Sequence, residues 1–178
     1  MSEFLTAAIK RLKYYKDLAD KTFAQLTAEQ LHYQPNEESN SIAVIVQHLS
    51  GNMLSRWTHF LTEDGEKEWR QRDDEFEVHS YTKEQVLEVW EKGWDCFLTT
   101  LSSLTEHDLL KTVTIRQEPL SVTDAILRQL AHYPYHVGQI VYIGKMIKDR
   151  DWTSLSIPKG HSDQYNKSDV VKDPAKKY

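Results

Sequence analysis

The clearest helical pattern in the chain is SVTDAILRQLAHYPYHVGQIVYIGKMIK, residues 121–148. Its apolar or small residues recur every three to four positions, which is the spacing of one face of an α-helix. They are Ile126, Leu130, Tyr133, Val137, Ile140, Val141, Gly144 and Ile147. Ser121 and Thr123 are both candidate N-terminal caps. The pattern therefore predicts a long helix that ends near Lys148.

Three segments upstream of this helix carry the same spacing. They predict helices from Glu3 to about Phe23, from Ile42 to about Leu61, and from a cap at Thr82 to about Leu101. The polar segment between the second and third of these helices has no clear period, so we interpret it as a loop of about twenty residues. Such long loops are often functional.

A short segment before the last helix has a different pattern. KTVTIRQEPLSV, residues 111–122, alternates and is rich in β-branched residues around the turn-like QEP. This favours a small β-hairpin between the third and fourth long helices. The predicted fold class is therefore all-α, a four-helix bundle with a small hairpin. We expect a single domain over residues 1–178, with the bundle at about 3–148 and a loosely packed C-terminal tail at 149–178.

Composition excludes several classes of protein. The formal net charge is -5 and the chain has no strong basic run, so we expect no nucleic-acid partner. The longest apolar stretches fall short of the ~20 residues that cross a bilayer, and the N-terminus lacks a signal sequence, which predicts a cytoplasmic protein with no membrane partner. Cys96 is the only cysteine. Any metal site must therefore use His, Asp or Glu.

Three histidines form the candidate site. His132 and His136 are four residues apart, so both imidazoles lie on one helix face within reach of one ion. His48 can supply a third ligand if the second and fourth long helices are neighbours. On a helical wheel all three fall roughly 80–120° from the centre of the apolar stripe, at the margin expected of a crevice. The alternative interpretation is that each is a solvated or hydrogen-bonded flank residue.

Two motifs contain these histidines, HLSGNMLSRW at residues 48–57 and HYPYHVGQIVYIGK at residues 132–145. They resemble the two metal-ligand motifs of the DinB/YfiT-like superfamily. The resemblance extends from the first helix to about Lys148, and the loop segment WRQRDDEFE is similar to one uncharacterised branch. It implies a four-helix bundle, a homodimer and one divalent ion, with zinc or nickel favoured. Carried over residue by residue, the implied ligands are His48, His132 and His136.

The resemblance also suggests a reaction. Three imidazole ligands leave coordination positions open, as in catalytic sites. Relatives in the superfamily include thiol-dependent S-transferases, so our leading hypothesis is a metal-dependent transferase that joins a low-molecular-weight thiol to a small electrophilic substrate. Arg56, Arg70 and Arg72 are candidates for binding the carboxylates of that thiol. Ordinary surface cations are the competing interpretation of these three residues.

Two other functions stay open. One is metal-dependent hydrolysis of small amides or esters, which needs a general base that the histidine faces do not provide. The other is a non-catalytic, stress-related binding protein with a structural or vestigial metal. The five Trp and nine Tyr exceed what one small core readily buries, and aromatic residues are enriched at interfaces, which favours a homodimer.

Overall fold

The computed structural model describes residues 2–178. Its helices are α1 (Glu3–Phe23), α2 (Ala28–Leu31), α3 (Ile42–Trp57), α4 (Lys83–Ser103), α5 (Val122–Lys148) and α6 (Ser162–Lys167). Its strands are β1 (Thr112–Ile115) and β2 (Glu118–Ser121), and short 3-10 turns lie at 74–76, 107–110 and 149–151. Within residues 2–178, no helix combines the length and hydropathy that crossing a membrane requires.

Side-chain caps begin all four long helices. Ser2, Ser41 and Ser121 each accept a hydrogen bond from the backbone N–H three residues ahead. Thr82 does the same in a full capping box with Gln85. These bonds satisfy N–H groups that the first helical turn leaves without partners. Of the two candidate caps of α5, Ser121 is therefore the one used.

The four long helices pack as a bundle. α3 lies against α4 and α1 lies against α5, while α3 also contacts α5 and α1 contacts α4. The core between them is strongly aromatic, and its largest fully buried side chains are Trp57, Trp90, Trp94, Tyr133, Phe23 and Phe97. The prediction of an all-α bundle with a small hairpin is confirmed.

The second long helix is shorter than its apolar pattern suggests. α3 ends at Trp57, where Thr58 adopts extended backbone angles, and His59 has a positive φ of 51°. Phe60 is nevertheless 7% exposed, and its ring centroid lies 4.3 Å from that of Trp57. The apolar spacing continues to Phe60 because a turn, and no longer a helix, returns that side chain to the core.

The turn of the hairpin is bound to the long loop through the Asp64 carboxylate. β1 and β2 pair antiparallel through a two-residue turn, Arg116 and Gln117, whose φ values are 56° and 65°. Positive φ at both positions suits the twist of a tight hairpin but is strained for residues with side chains. Asp64 accepts the backbone N–H groups of both turn residues at 2.8 Å. This carboxylate therefore holds the turn in place.

Replacing Asp64 with asparagine is expected to lower the free energy of unfolding by about 0.5–1.5 kcal/mol, because an amide has one acceptor oxygen and the two turn N–H groups use both oxygens of the carboxylate. Burial opposes ionisation of Asp64, but the N–H groups that it accepts outweigh burial and hold the pKa of this carboxyl well below its ordinary value of 3.8. The stabilisation is therefore present above about pH 4 and is lost as the pH falls towards the folded-state pKa. Urea unfolding of wild type and Asp64→Asn at neutral and acidic pH measures this difference.

A neighbouring exposed carboxylate provides the control for that experiment. Asp73 lies in the same loop and makes no side-chain cap bond to the turn that it precedes. Asp73→Asn is therefore expected to unfold like the wild type. Equal midpoints for Asp64→Asn and Asp73→Asn at neutral pH would contradict the proposed role of Asp64.

The C-terminal segment after α5 is mostly exposed but returns to α1. Ala175 is fully buried, and Asp173 lies 2.6 Å from the Arg11 guanidinium. Lys10 approaches the same carboxylate at 3.5 Å. Contacts with the first helix therefore anchor the end of the chain.

Candidate metal centre

The three candidate ligands lie at the middle of two neighbouring helices. His48 projects from α3, and His132 and His136 project from α5. One ring nitrogen from each of the three lies within 4.8 Å of the other two. His48 is 7% exposed, and the other two are partly buried. The structure thus brings together the three histidines singled out in the sequence.

Two glutamines on α5 orient the rings of His132 and His136. Nδ1 of His132 lies 3.4 Å from Gln129 Oε1, and Nδ1 of His136 lies 2.7 Å from Gln139 Oε1. Because an amide oxygen can only accept, these contacts favour the tautomer that carries its proton on Nδ1 and has a free lone pair on Nε2. The two Nε2 atoms lie 3.1 Å apart.

Glu75 orients the third ring. Its Oε2 lies 3.0 Å from Nδ1 of His48, and Arg70 donates to both carboxylate oxygens at 2.7 and 2.9 Å. The Arg70 and Glu75 side chains are only 2% and 9% exposed. Burial opposes ionisation of Glu75, but the hydrogen bonds from His48 and Arg70 outweigh it and lower the pKa of this carboxyl. A carboxylate on Nδ1 is the usual partner of a metal-ligating histidine, because it directs Nε2 towards the ion.

Gly51 permits this approach of the loop to α3. It lies one turn after His48, and a Cβ at this position would overlap the Glu75 carboxylate. Glycine inside a helix costs roughly 1 kcal/mol relative to alanine. Here that cost is offset by the close contact, which lets Glu75 reach the histidine. Phe76, the next residue in the loop, stacks on the His48 ring at a centroid distance of 4.9 Å.

The histidines of α5 are held neutral. Burial is the main cause that lowers the pKa of His132 to about 3, and the neighbouring His136 and His48 lower it further. Burial also lowers the pKa of His136, against the hydrogen bond to Gln139. Both rings are therefore uncharged at neutral pH, which is the state that binds a metal ion.

These donors fit a divalent ion. In the tautomer that the glutamines favour, two Nε2 lone pairs face each other at 3.1 Å and repel, and a cation between them would remove that repulsion. Two nitrogens bound to one tetrahedral ion at 2.0–2.1 Å lie about 3.3 Å apart. The set of three spans up to 4.8 Å, so a small ring movement would complete the geometry. Imidazole donors suit Zn, Ni, Cu or Fe.

The candidate substrate arginines lie beside this cluster in different environments. Arg56 is buried in α3 with 6% exposure, Arg70 is the buried partner of Glu75, and Arg72 is exposed. All three line one pocket together with His48. Arg70 therefore has a structural partner that the sequence analysis did not assign to it.

Sequence reasoning missed seven residues around the site. They are Asn52, Glu75, Phe76, Arg116, Arg128, Gln129 and Gln139. The two glutamines carried a usable signal, because each lies three residues from a ligand on the same helix and can therefore face it. Glu75 and Arg116 carried no such signal. Glu75 lies in a loop and Arg116 in a hairpin turn, and neither segment has a sequence period that predicts where its side chains point.

The fold and the cluster define a class, a helical-bundle protein whose three-histidine group can hold a metal ion. Residues 1–161 match the family described as "Protein of unknown function (DUF1572)". The chain belongs to that family. No curated protein matches it in a sequence comparison.

Proposed function

We propose that the chain binds one divalent metal ion, zinc or nickel, through Nε2 of His48, His132 and His136, and that it uses this site for catalysis. One observation carries the proposal. The Nδ1 atom of each ring faces a side-chain oxygen, of Glu75, Gln129 or Gln139 respectively. Three Nε2 lone pairs are therefore left to converge, which is how proteins prepare imidazole for a metal.

The reaction that we propose is transfer of a low-molecular-weight thiol to a small electrophilic substrate. A bound divalent ion supplies Lewis acidity and lowers the pKa of a thiol. In the transfer, the thiol sulfur forms a bond to the electrophilic carbon, the leaving group departs with its electron pair, and the thiol proton passes to solvent. His132 and His136 are partly exposed, which supports access of a substrate to the site.

Membership of the DinB/YfiT-like superfamily is part of the proposal, because the thiol chemistry comes from that resemblance. The two motifs that carry it lie on α3 and α5, which contact each other in the bundle. Their histidines face one another, as the resemblance implies. The contact between α3 and α5 supports the assignment but does not by itself select the reaction.

Hydrolysis has weaker support. It needs a carboxylate or another base that is free to take a proton from water. Glu75 is the acidic group hydrogen-bonded to His48, and its oxygens are already bound to His48 and Arg70. A non-catalytic metal site differs from the proposed enzyme in one observable respect, since it would bind the ion without any thiol-dependent reaction.

We also propose a homodimer in the cytoplasm. Tyr135 and Tyr142 on α5 are 63% and 71% exposed, and Met146, one turn further, is 44% exposed. These side chains form an apolar stripe at helical spacing. Such a surface supports a subunit contact, since aromatic residues and Met are enriched at interfaces.

The proposed metal site predicts near-stoichiometric metal in the purified wild type and loss of most of it in His48→Ala and in His136→Ala. Removing one of three ligands leaves a site that cannot hold the ion. Elemental analysis after identical handling, without and with added zinc or nickel, measures the bound metal. His107→Ala is the matched control, because His107 is exposed and lies outside the cluster.

The same samples also test the reaction. Metal-loaded wild type should accelerate the reaction of a low-molecular-weight thiol with an activated aryl halide, and His136→Ala should not. A wild type that binds neither zinc nor nickel would refute the metal site. A metal-loaded wild type that is inactive with every thiol and electrophile tried would favour the non-catalytic alternative.

A further inference from the structure

A pocket of about 220 Å³ opens beside the histidine cluster, and arginines dominate its walls. Five of its lining residues are arginines: Arg56, Arg70, Arg72, Arg116 and Arg128. His48 and His132 line the same pocket, so it is continuous with the candidate metal centre. We refer to it as the arginine pocket.

Distant parts of the chain supply these charges. Arg56 comes from α3, Arg128 from α5, Arg116 from the hairpin turn, and Arg70 and Arg72 from the long loop. Like charges at close range repel and destabilise the folded state. The pKa of Arg56 is lowered first by burial and then by the charge of Arg128. The fold therefore collects positive charge at an energetic cost.

Two carboxylates face this group of cations. Glu75 is already bound by Arg70 and His48. Oε2 of Glu66 lies 3.3 Å from Nε of Arg116, 3.5 Å from Nη1 of Arg70 and 3.9 Å from Nη2 of Arg56. Arg56, Arg70 and Arg116 therefore share the Glu66 carboxylate. Among the residues that the structure describes, five arginines around the pocket face these two carboxylates, so the pocket retains a positive excess.

Several guanidinium donors in this pocket are also unsatisfied. Within residues 2–178, buried Nε and Nη1 of Arg56 and Nη1 of Arg70 have no hydrogen-bond partner. Arg56 is only 6% exposed, so bulk water does not replace the missing acceptors. Both guanidinium groups have a carboxylate nearby, but a buried guanidinium nitrogen without an acceptor is still rare and costly in proteins. These unmet hydrogen bonds add to the cost of holding the arginines together around the pocket.

We propose that the arginine pocket binds an oxyanionic group, a carboxylate or a phosphate, of a small substrate. The planar fork of a guanidinium matches both groups. The pocket is smaller than the ~300–1,000 Å³ typical of sites for drug-sized ligands, which limits the substrate to a small acid. Because His48 and His132 share the pocket, the acid group held there places the rest of the molecule at the histidine cluster. That last step rests on the proposed function, whereas anion binding does not.

Calorimetric titration of the full-length protein with inorganic phosphate and with succinate tests the proposal. Wild type is expected to bind at least one of them. The Kd should rise roughly ten- to a hundred-fold in Arg128→Met and in Arg116→Met, the effect of losing a hydrogen bond to a charged group. Both side chains are on the surface of the fold, so the variants should remain folded. Arg150→Met, an exposed arginine outside the pocket, is the control.

His136→Ala separates the two proposals. His136 does not line the arginine pocket, so this variant should lose metal but keep its anion affinity. If the wild type bound an anion but no metal, the metal site would be refuted and the proposal of an anion-binding pocket would stand. The proposal that the pocket binds an anion would be overturned if neither anion bound to the wild type. Equal Kd values for Arg128→Met and Arg150→Met would overturn it too. The preferred anion identifies the acid group as carboxylate or phosphate.

Discussion

Glu75→Ala is expected to lower the free energy of unfolding by up to about 3–5 kcal/mol, because it removes both hydrogen bonds to the buried Arg70 charge and leaves it only the looser contact with Glu66 at 3.5 Å. The Arg70 side chain is 2% exposed, so water cannot replace the carboxylate. The same change should weaken metal binding roughly 10- to 100-fold, since His48 loses the acceptor that orients its ring. Denaturant unfolding and metal titration measure the two effects separately.

Two further variants isolate the cause. Glu77→Ala changes an exposed acid two residues further along the same loop and should unfold like the wild type. Adding Arg70→Ala to Glu75→Ala removes that buried charge, so the double variant should regain part of the lost stability. If Glu75→Ala bound metal as tightly as Glu77→Ala does, Glu75 would have no role in orienting His48.

Trp57→Ala is expected to destabilise the bundle by about 3–5 kcal/mol, the usual cost of removing a large buried aromatic side chain. Trp57 is 1% exposed, lies against Phe60 and Phe97, and donates from Nε1 to the Tyr133 hydroxyl at 3.1 Å. Its loss opens a cavity where α3, α4 and α5 meet. For a chain of this length each kcal/mol lowers Tm by roughly 2–4 °C, which thermal unfolding resolves.

Trp69→Ala is the matched control for that experiment. Trp69 lies in the long loop and is 55% exposed, so its removal should change the unfolding free energy by less than about 0.5 kcal/mol. A similar loss of stability in both tryptophan variants would mean that Trp57 contributes no more than a surface residue. That result would contradict the position of Trp57 in the core.

The helices were largely predictable because their signals are local. Apolar spacing and a serine cap define α5 over the residues that the sequence indicated, and the start of α3 at Ile42 follows from Ser41 in the same way. The end of α3 was predicted four residues too late. Apolar spacing indicates which side chains are buried, and not the backbone conformation. Phe60 is buried although it lies in a turn after the helix.

The candidate site also has a part that local sequence spacing predicts and a part that it does not. The pairing of His132 with His136 follows from helix geometry, since residues four apart share a face. Whether His48 joins them depends on which helices are neighbours, and periodicity does not specify that. Glu75 is 27 residues from His48 in a loop without period, so only the folded chain could bring its carboxylate to the ring.

The sequence by itself determined the four helices, the hairpin and the three histidines, because each rests on spacings within a few turns of one element. The tertiary structure alone decided that Glu75 and Arg70 support His48 and that five arginines surround one pocket. Those residues come from helices, a turn and a loop with no sequence spacing in common. Packing of the whole chain sets their proximity. Burial of apolar surface between distant segments, and not local backbone geometry, decides which of these residues come into contact.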